Sequence, residues 1–135
     1  MTAVLLDTHV LVWLVSGDSQ LSPGAQQHIL AAPQVWVSAI TPWEIAMLVA
    51  KGRLALSKDV LEWVAQALAL PGVRLAALEP AIAVASTRLP GNLNGDPADR
   101  LLAATARQLN LALITADEKL LAYGAQGHLA VISAR

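Results

Sequence analysis

The chain has 135 residues, the length of one domain with a full hydrophobic core. Charged residues make up only 14% and the net charge is −1, so the clustered Lys and Arg that a non-specific nucleic-acid coat needs are missing. Cysteine is absent, which excludes disulfides and thiolate metal sites and leaves oxygen and imidazole as the strong ligands.

Short apolar runs alternate with longer stretches of helical period, the pattern of a parallel sheet flanked by helices. In chain order we predict a strand at Val4–Leu6, helices at Thr8–Val15 and Pro23–Ala32, and a strand at Val35–Val37. Helices at Pro42–Lys51 and Lys58–Leu70 follow, then a strand at Val73–Ala76 and helices at Pro80–Arg88 and Pro97–Leu109. A strand at Ala112–Thr115, a helix at Glu118–Tyr123 and a strand at Leu129–Ile132 complete the chain. Ser22-Pro23, Thr41-Pro42, Glu79-Pro80 and Asp96-Pro97 each place a cap or an acid before a proline at the first helical position. Residues 90–95, with Pro90, Gly91, Asn92, Asn94 and Gly95, form the main loop cluster, and no domain linker or repeat interrupts the chain. No apolar run approaches the roughly 18 residues of a membrane span. The apolar start of the chain carries Asp7 and His9 and no preceding basic residue, unlike a secretory leader, so the cytoplasm is the expected compartment. Apolar residues amount to 56%, and with so few charges some must face outward; a homodimer or a tight protein partner is expected.

Of the ten acidic residues, the informative ones stand where a strand gives way to a helix. Asp7 ends the first strand, Glu44 falls in the first turn after the second, and Asp117 follows the fourth. In an open parallel sheet all carboxyl ends share one edge, so these three converge. Asp96 and Asp99 join them only if the helix they open starts at that edge, which strand order alone leaves open. Each acid also has a structural role open to it: Thr41 and Glu44 match a capping box, and Asp96 and Asp117 are natural helix caps. Together, however, several carboxylates at one edge repel one another unless a divalent cation neutralises them, and an all-oxygen donor set suits Mg²⁺ or Mn²⁺. Such a site activates water for in-line displacement at a phosphodiester.

The same residues resemble the PIN domain, in particular the VapC-like toxins of type II toxin–antitoxin systems. The resemblance runs through Leu5-Leu6-Asp7-Thr8-His9, Val37-Ser38-Ala39, Trp43-Glu44-Ile45-Ala46, Leu89-Pro90, Asp96-Pro97-Ala98-Asp99-Arg100-Leu101-Leu102-Ala103-Ala104 and Thr115-Ala116-Asp117, in that order. It implies a three-layer α/β/α fold with a five-stranded parallel sheet of order 3-2-1-4-5, and Mg²⁺- or Mn²⁺-dependent endoribonuclease activity held in check by a cognate antitoxin. The family's four acids correspond to Asp7, Glu44, Asp99 and Asp117, with Asp96 the second choice for the third metal ligand. Thr8 and Thr115 match the hydroxyl residues beside the first and fourth acids, and Arg100 either orients the acids or contacts phosphate. Two departures stand out: Asn94 where relatives often carry His, and Met47-Leu48 where they often carry Lys. Both are expected to touch substrate or rim rather than metal ligands.

His9 is read as a structural hydrogen-bonder, His28 and His128 as surface residues, and Lys51, Arg53 and Lys119 as rim charge. Trp13, Trp36, Trp43 and Trp63 are assigned to core or dimer interface, with Trp43 also a candidate base-stacking residue. A receiver domain would need paired acids after the first strand, and a haloacid-dehalogenase-type phosphatase would need Asp where His9 stands; neither pattern is present. The alternative kept open is a PIN-like module that binds metal or a protein partner without cutting RNA.

Overall fold

The computed structural model describes residues 2–135. Five strands, β1 (Val4–Leu6), β2 (Val35–Ser38), β3 (Val73–Ala76), β4 (Ala112–Thr115) and β5 (Val131–Ser133), form one parallel sheet of order β3-β2-β1-β4-β5. The helices are α1 (Thr8–Ser16), α2 (Pro23–Ala31), α3 (Ile40–Ala50), α4 (Val60–Leu68), α5 (Pro80–Ala85), α6 (Pro97–Leu109) and α7 (Glu118–Ala125). The three-layer architecture and strand order are those that the family resemblance implied.

Side chains of a strand alternate between faces, and the two cores divide accordingly. Val4, Leu6, Val35, Val37, Ala112 and Ile114 point to one face, where α1, α2 and α4 contribute Val10, Trp13, Ile29 and Trp63. Leu5 and Leu113 point to the other and meet Leu102, Ala103 and Ala106 of α6 and Leu120 and Tyr123 of α7. The central β1 and β4 are buried on both faces, which is why both are uninterrupted apolar runs up to Thr115.

Five elements depart from their predicted bounds by two residues or more, among them α7, which continues past Tyr123 to Ala125. α3 begins at Ile40, two residues before Pro42, because Ser38 Oγ accepts a hydrogen bond from the Ile40 N–H at 3.1 Å; the Thr41–Glu44 capping box weighed as an alternative role for Glu44 is not made. α4 starts later than Lys58, at Val60, where Asp59 accepts from the Leu61 N–H at 3.1 Å. α5 stops at Ala85, short of Arg88, where the Ser86 and Thr87 hydroxyls donate to the carbonyls of Ala83 and Val84 and compete with further helix. β5 lies two residues later than Leu129, which instead packs into the α6–α7 core.

α6 is bounded as predicted, by Asp96 at its start and by Asn110 at φ 55° at its end. Because α6 runs back across the sheet before β4, its first turn lies at the carboxyl edge, beside the ends of β1 and β4.

Candidate metal centre

Asp7 leaves β1 in an extended conformation and caps α1. One carboxylate oxygen accepts from the Thr8 N–H at 2.7 Å and the other from the Thr115 hydroxyl at 2.6 Å. Thr115 Oγ1 in turn accepts from the Asp117 N–H at 3.0 Å, so one buried hydroxyl fixes two acids at once. Thr8, also fully buried, donates its hydroxyl proton to Glu44 and lies 3.4 Å from the Thr41 hydroxyl. Glu44 thus points inward to Thr8 instead of back to its own helix start. Thr8 and Thr115 hold the positions that the sequence suggested.

Asp99, on the first turn of α6, accepts from Asn94 Nδ2 at 3.2 Å. Asp96 caps α6 through the N–H groups of Ala98 at 2.9 Å and Asp99 at 3.4 Å, and Asp117 caps α7 through those of Lys119 at 2.8 Å and Leu120 at 3.1 Å. All five acids line a single cleft of about 510 Å³, with His9, Trp13, Gln20, Ala116 and Arg135. The structure thereby closes the question that strand order left open: α6 begins at the shared edge.

Burial is the main force on three of these carboxyls. Desolvation pushes the Asp7 pKa up, partly offset by hydrogen bonds from Thr115 and Thr8. It raises Glu44 as well, with Asp7 and Asp96 adding repulsion and the Thr8 hydroxyl opposing. For Asp99, burial and then the charges of Asp96 and Asp117 raise the pKa to about 7. The carboxylates share one field and resist ionising together, the condition that a divalent cation relieves. Among the described residues no three carboxylate or imidazole groups are already drawn in around a common point. Each acid is turned toward a hydroxyl, amide or backbone donor of its own. Oxygen ligands on a partly dry floor, without sulfur, fit a hard cation such as Mg²⁺ or Mn²⁺.

Several expectations are corrected here. Arg100 makes no hydrogen bond to the acids: its Nε donates to the Ser86 carbonyl at 2.9 Å and its Nη1 to the carbonyls of Leu93 at 3.1 Å and Asn94 at 3.4 Å. It pins the loop before α6, and through Asn94 it reaches Asp99 indirectly. Asn94 touches an acid directly, contrary to its expected place on the substrate side, and its Oδ1 also accepts from the Asp96 N–H at 2.8 Å. His9 is exposed on the cleft wall and not tucked under a helix. His128 is half-buried, its ring tilted against that of Tyr123 with centroids 5.0 Å apart, and it is pressed against Gly91, whose missing Cβ leaves room for it. Trp13 and Trp63 are core residues, whereas Trp43 is 58% exposed. Lys51 and Lys119 are exposed, and Arg53 lines a neighbouring groove between α1 and α4 instead of the acid cleft.

Sequence reasoning missed Gln20 and Arg135. Arg135 stands two residues beyond β5, at the same carboxyl edge that singled out Asp7 and Asp117, so the same rule applied to the last strand reaches it.

A parallel sheet of this order, with acids gathered at its carboxyl edge, defines an α/β fold built around an acidic site. The chain belongs to the PIN domain family, whose model matches residues 4–126. It is 39% identical over 120 residues to Ribonuclease VapC22 of Mycobacterium tuberculosis (strain ATCC 25618 / H37Rv), across 89% of this chain and 91% of that one. Among solved structures it is similar to a toxin–antitoxin complex from Klebsiella pneumoniae, with 28% identity, a TM-score of 0.67 and 98% of each chain covered. It also shares its fold with VapBC2 from Rickettsia felis bound to a promoter DNA fragment, with 15% identity, a TM-score of 0.67, and 97% of this chain and 98% of that one covered. No helix among the described residues is long and apolar enough to cross a membrane.

Proposed function

We propose that this protein is a Mg²⁺- or Mn²⁺-dependent endoribonuclease and the toxin of a toxin–antitoxin pair. The observation that carries this reading is the convergence of Asp7, Glu44, Asp99 and Asp117 on one cleft, with two buried threonines fixing three of the four. The ribonuclease VapC22, similar over nearly the whole chain, supports RNA as the substrate.

Asp7, Glu44, Asp99 and Asp117 would hold the cation, with Asp96 a fifth oxygen donor at the mouth. When bound, the cation supplies charge neutralisation and an activated water for attack on a phosphodiester. The protein's part is placement. Thr115 orients Asp7 and the backbone of Asp117, Thr8 orients Glu44, and Asn94 orients Asp99, so each carboxylate is held at the cleft by a donor of its own. Direct attack by water leaves a 5′-phosphate and a 3′-hydroxyl.

The groove between α1 and α4 runs into the acid cleft through His9, Trp13 and Gln20 and is walled by Val12, Leu56 and Trp63. It suits an apolar antitoxin segment that ends in an Arg or Lys aimed at the carboxylates. Exposed Leu30, Leu61 and Leu75 supply apolar surface for a homodimer. Purified protein is expected to cut single-stranded RNA in Mg²⁺ or Mn²⁺, to stop in EDTA and to leave 5′-phosphate ends. Cutting that continues undiminished in EDTA, or 2′,3′-cyclic phosphate ends, contradicts the mechanism. A protein that binds the metal yet leaves RNA intact is instead a silent module.

A further inference from the structure

Five carboxylates explain how a cation is held at the cleaved phosphate, but they repel every other phosphate of an RNA strand lying in the cleft. Among the described residues lining that cleft, one is an Arg or Lys, namely Arg135. Its guanidinium carbon lies 5.6 Å from the centroid of the Trp13 ring, and its Nη2 donates to Gln20 Oε1 at 3.4 Å. Trp13 belongs to the core and is only 8% exposed, so the arginine rests on a rigid platform, while Arg135 is itself open to solvent. Among the described residues Gln20 Oε1 is the one hydrogen-bond acceptor of the guanidinium, and no carboxylate of the cluster accepts from it.

From this placement we propose that Arg135 is a substrate-positioning residue that binds a phosphate of the RNA strand flanking the one that is cut. The inference rests on the ribonuclease reading above. A guanidinium offers five N–H donors in a planar fork matched to two phosphate oxygens. Stacking on Trp13 and the single long bond to Gln20 restrict its motion while leaving most of those donors free. Such a contact reads no base. It favours any RNA equally and sets the register of the strand against the acids.

The test compares steady-state cleavage of a single-stranded RNA by wild type, Arg135→Gln and Arg135→Lys in Mg²⁺ over a range of salt, with thermal unfolding of each. Arg135→Gln is expected to raise KM about tenfold at low salt, as for loss of one hydrogen bond to a charged group. Its kcat should stay near the wild-type value, and the slope of log KM against log salt should fall by about one. Arg135→Lys, which keeps the charge, should recover the salt slope. If Arg135 merely secures the end of β5, Arg135→Gln lowers the unfolding temperature with KM and salt slope unchanged, and that result overturns the proposal. A wild type that fails to cut RNA refutes the ribonuclease reading and this inference with it, whereas a wild type that cuts, paired with an equally good Arg135→Gln, refutes this inference alone.

Discussion

Asp96 and Asp99 stand three residues apart in one helical turn, yet their surroundings separate them. Asp96 spends its carboxylate on two backbone N–H groups and is exposed, whereas Asp99 has one side-chain donor and a pKa raised to about 7 by burial and by its acidic neighbours. Asp99→Asn is therefore expected to lower RNA cleavage at least ~100-fold, the scale of losing a preorganised charged group. Asp96→Asn, which can still cap, should cost much less activity, and Asp96→Ala should lower stability by ~1 kcal/mol. A dead Asp96→Asn beside a near-normal Asp99→Asn would exchange their roles. The raised pKa also has a thermodynamic consequence. Between the ordinary Asp value and about 7, the folded state holds a proton that the unfolded chain has released, so stability declines as pH rises through that window. Metal-free protein should melt at a higher temperature at pH 5 than at pH 7.5, and Asp99→Asn should flatten the difference. Added Mg²⁺ should raise the melting temperature more at pH 7.5, where protons no longer compete. At this scale the acids were legible in the sequence because each follows a strand or opens a helix. The partners of Arg100 and Asn94 were not, since they depend on how residues 86–94 fold back onto α6, and no local pattern encodes that.

The loop before α6 owes its shape to one side chain. Arg100 satisfies three carbonyls, those of Ser86, Leu93 and Asn94, with two nitrogens of a rigid fork, and so secures the segment that delivers Asn94 to Asp99. Arg100→Ala leaves those carbonyls short of donors and is expected to cost about 1–3 kcal/mol of stability and several-fold in cleavage rate. Arg100→Lys should rescue little, because an ammonium cannot reproduce the fork. Full activity and an unchanged melting temperature in Arg100→Ala would show that the loop is held by other means. Elements built on strong local signals appeared where the sequence put them: β1 and β4 from continuous apolar runs, α6 from Asp96-Pro97 to Asn110. The misplaced ends belong to weaker signals. A serine two residues ahead of a helix, as Ser38 is for α3, can displace the more conspicuous Thr41-Pro42 start, and hydroxyls at Ser86 and Thr87 can end a helix whose apolar pattern continues.

Across the whole molecule, the parallel order brings residues more than a hundred positions apart into one site: the Thr115 hydroxyl meets the Asp7 carboxylate because β1 and β4 are neighbours in the sheet. The fold class and strand order were expected from the family resemblance, and the carboxyl-edge rule alone assembled Asp7, Glu44 and Asp117. It was silent on the entry of Asp99, which depends on where the crossover from β3 through α5 and α6 brings the start of α6, and on which acid each threonine meets. The same topology leaves the groove between α1 and α4 opening onto the acids, so one partner could cover the apolar wall and the active edge together. The most direct measurement is single-turnover cleavage of one RNA by wild type and Asp7→Asn, both verified as folded by circular dichroism, with Mg²⁺ raised from zero to saturation. Wild-type cleavage should appear with Mg²⁺ and vanish with EDTA, with Asp7→Asn at least ~100-fold slower at every concentration. Equal rates for the two proteins would contradict a metal-dependent nuclease centred on the acidic cleft.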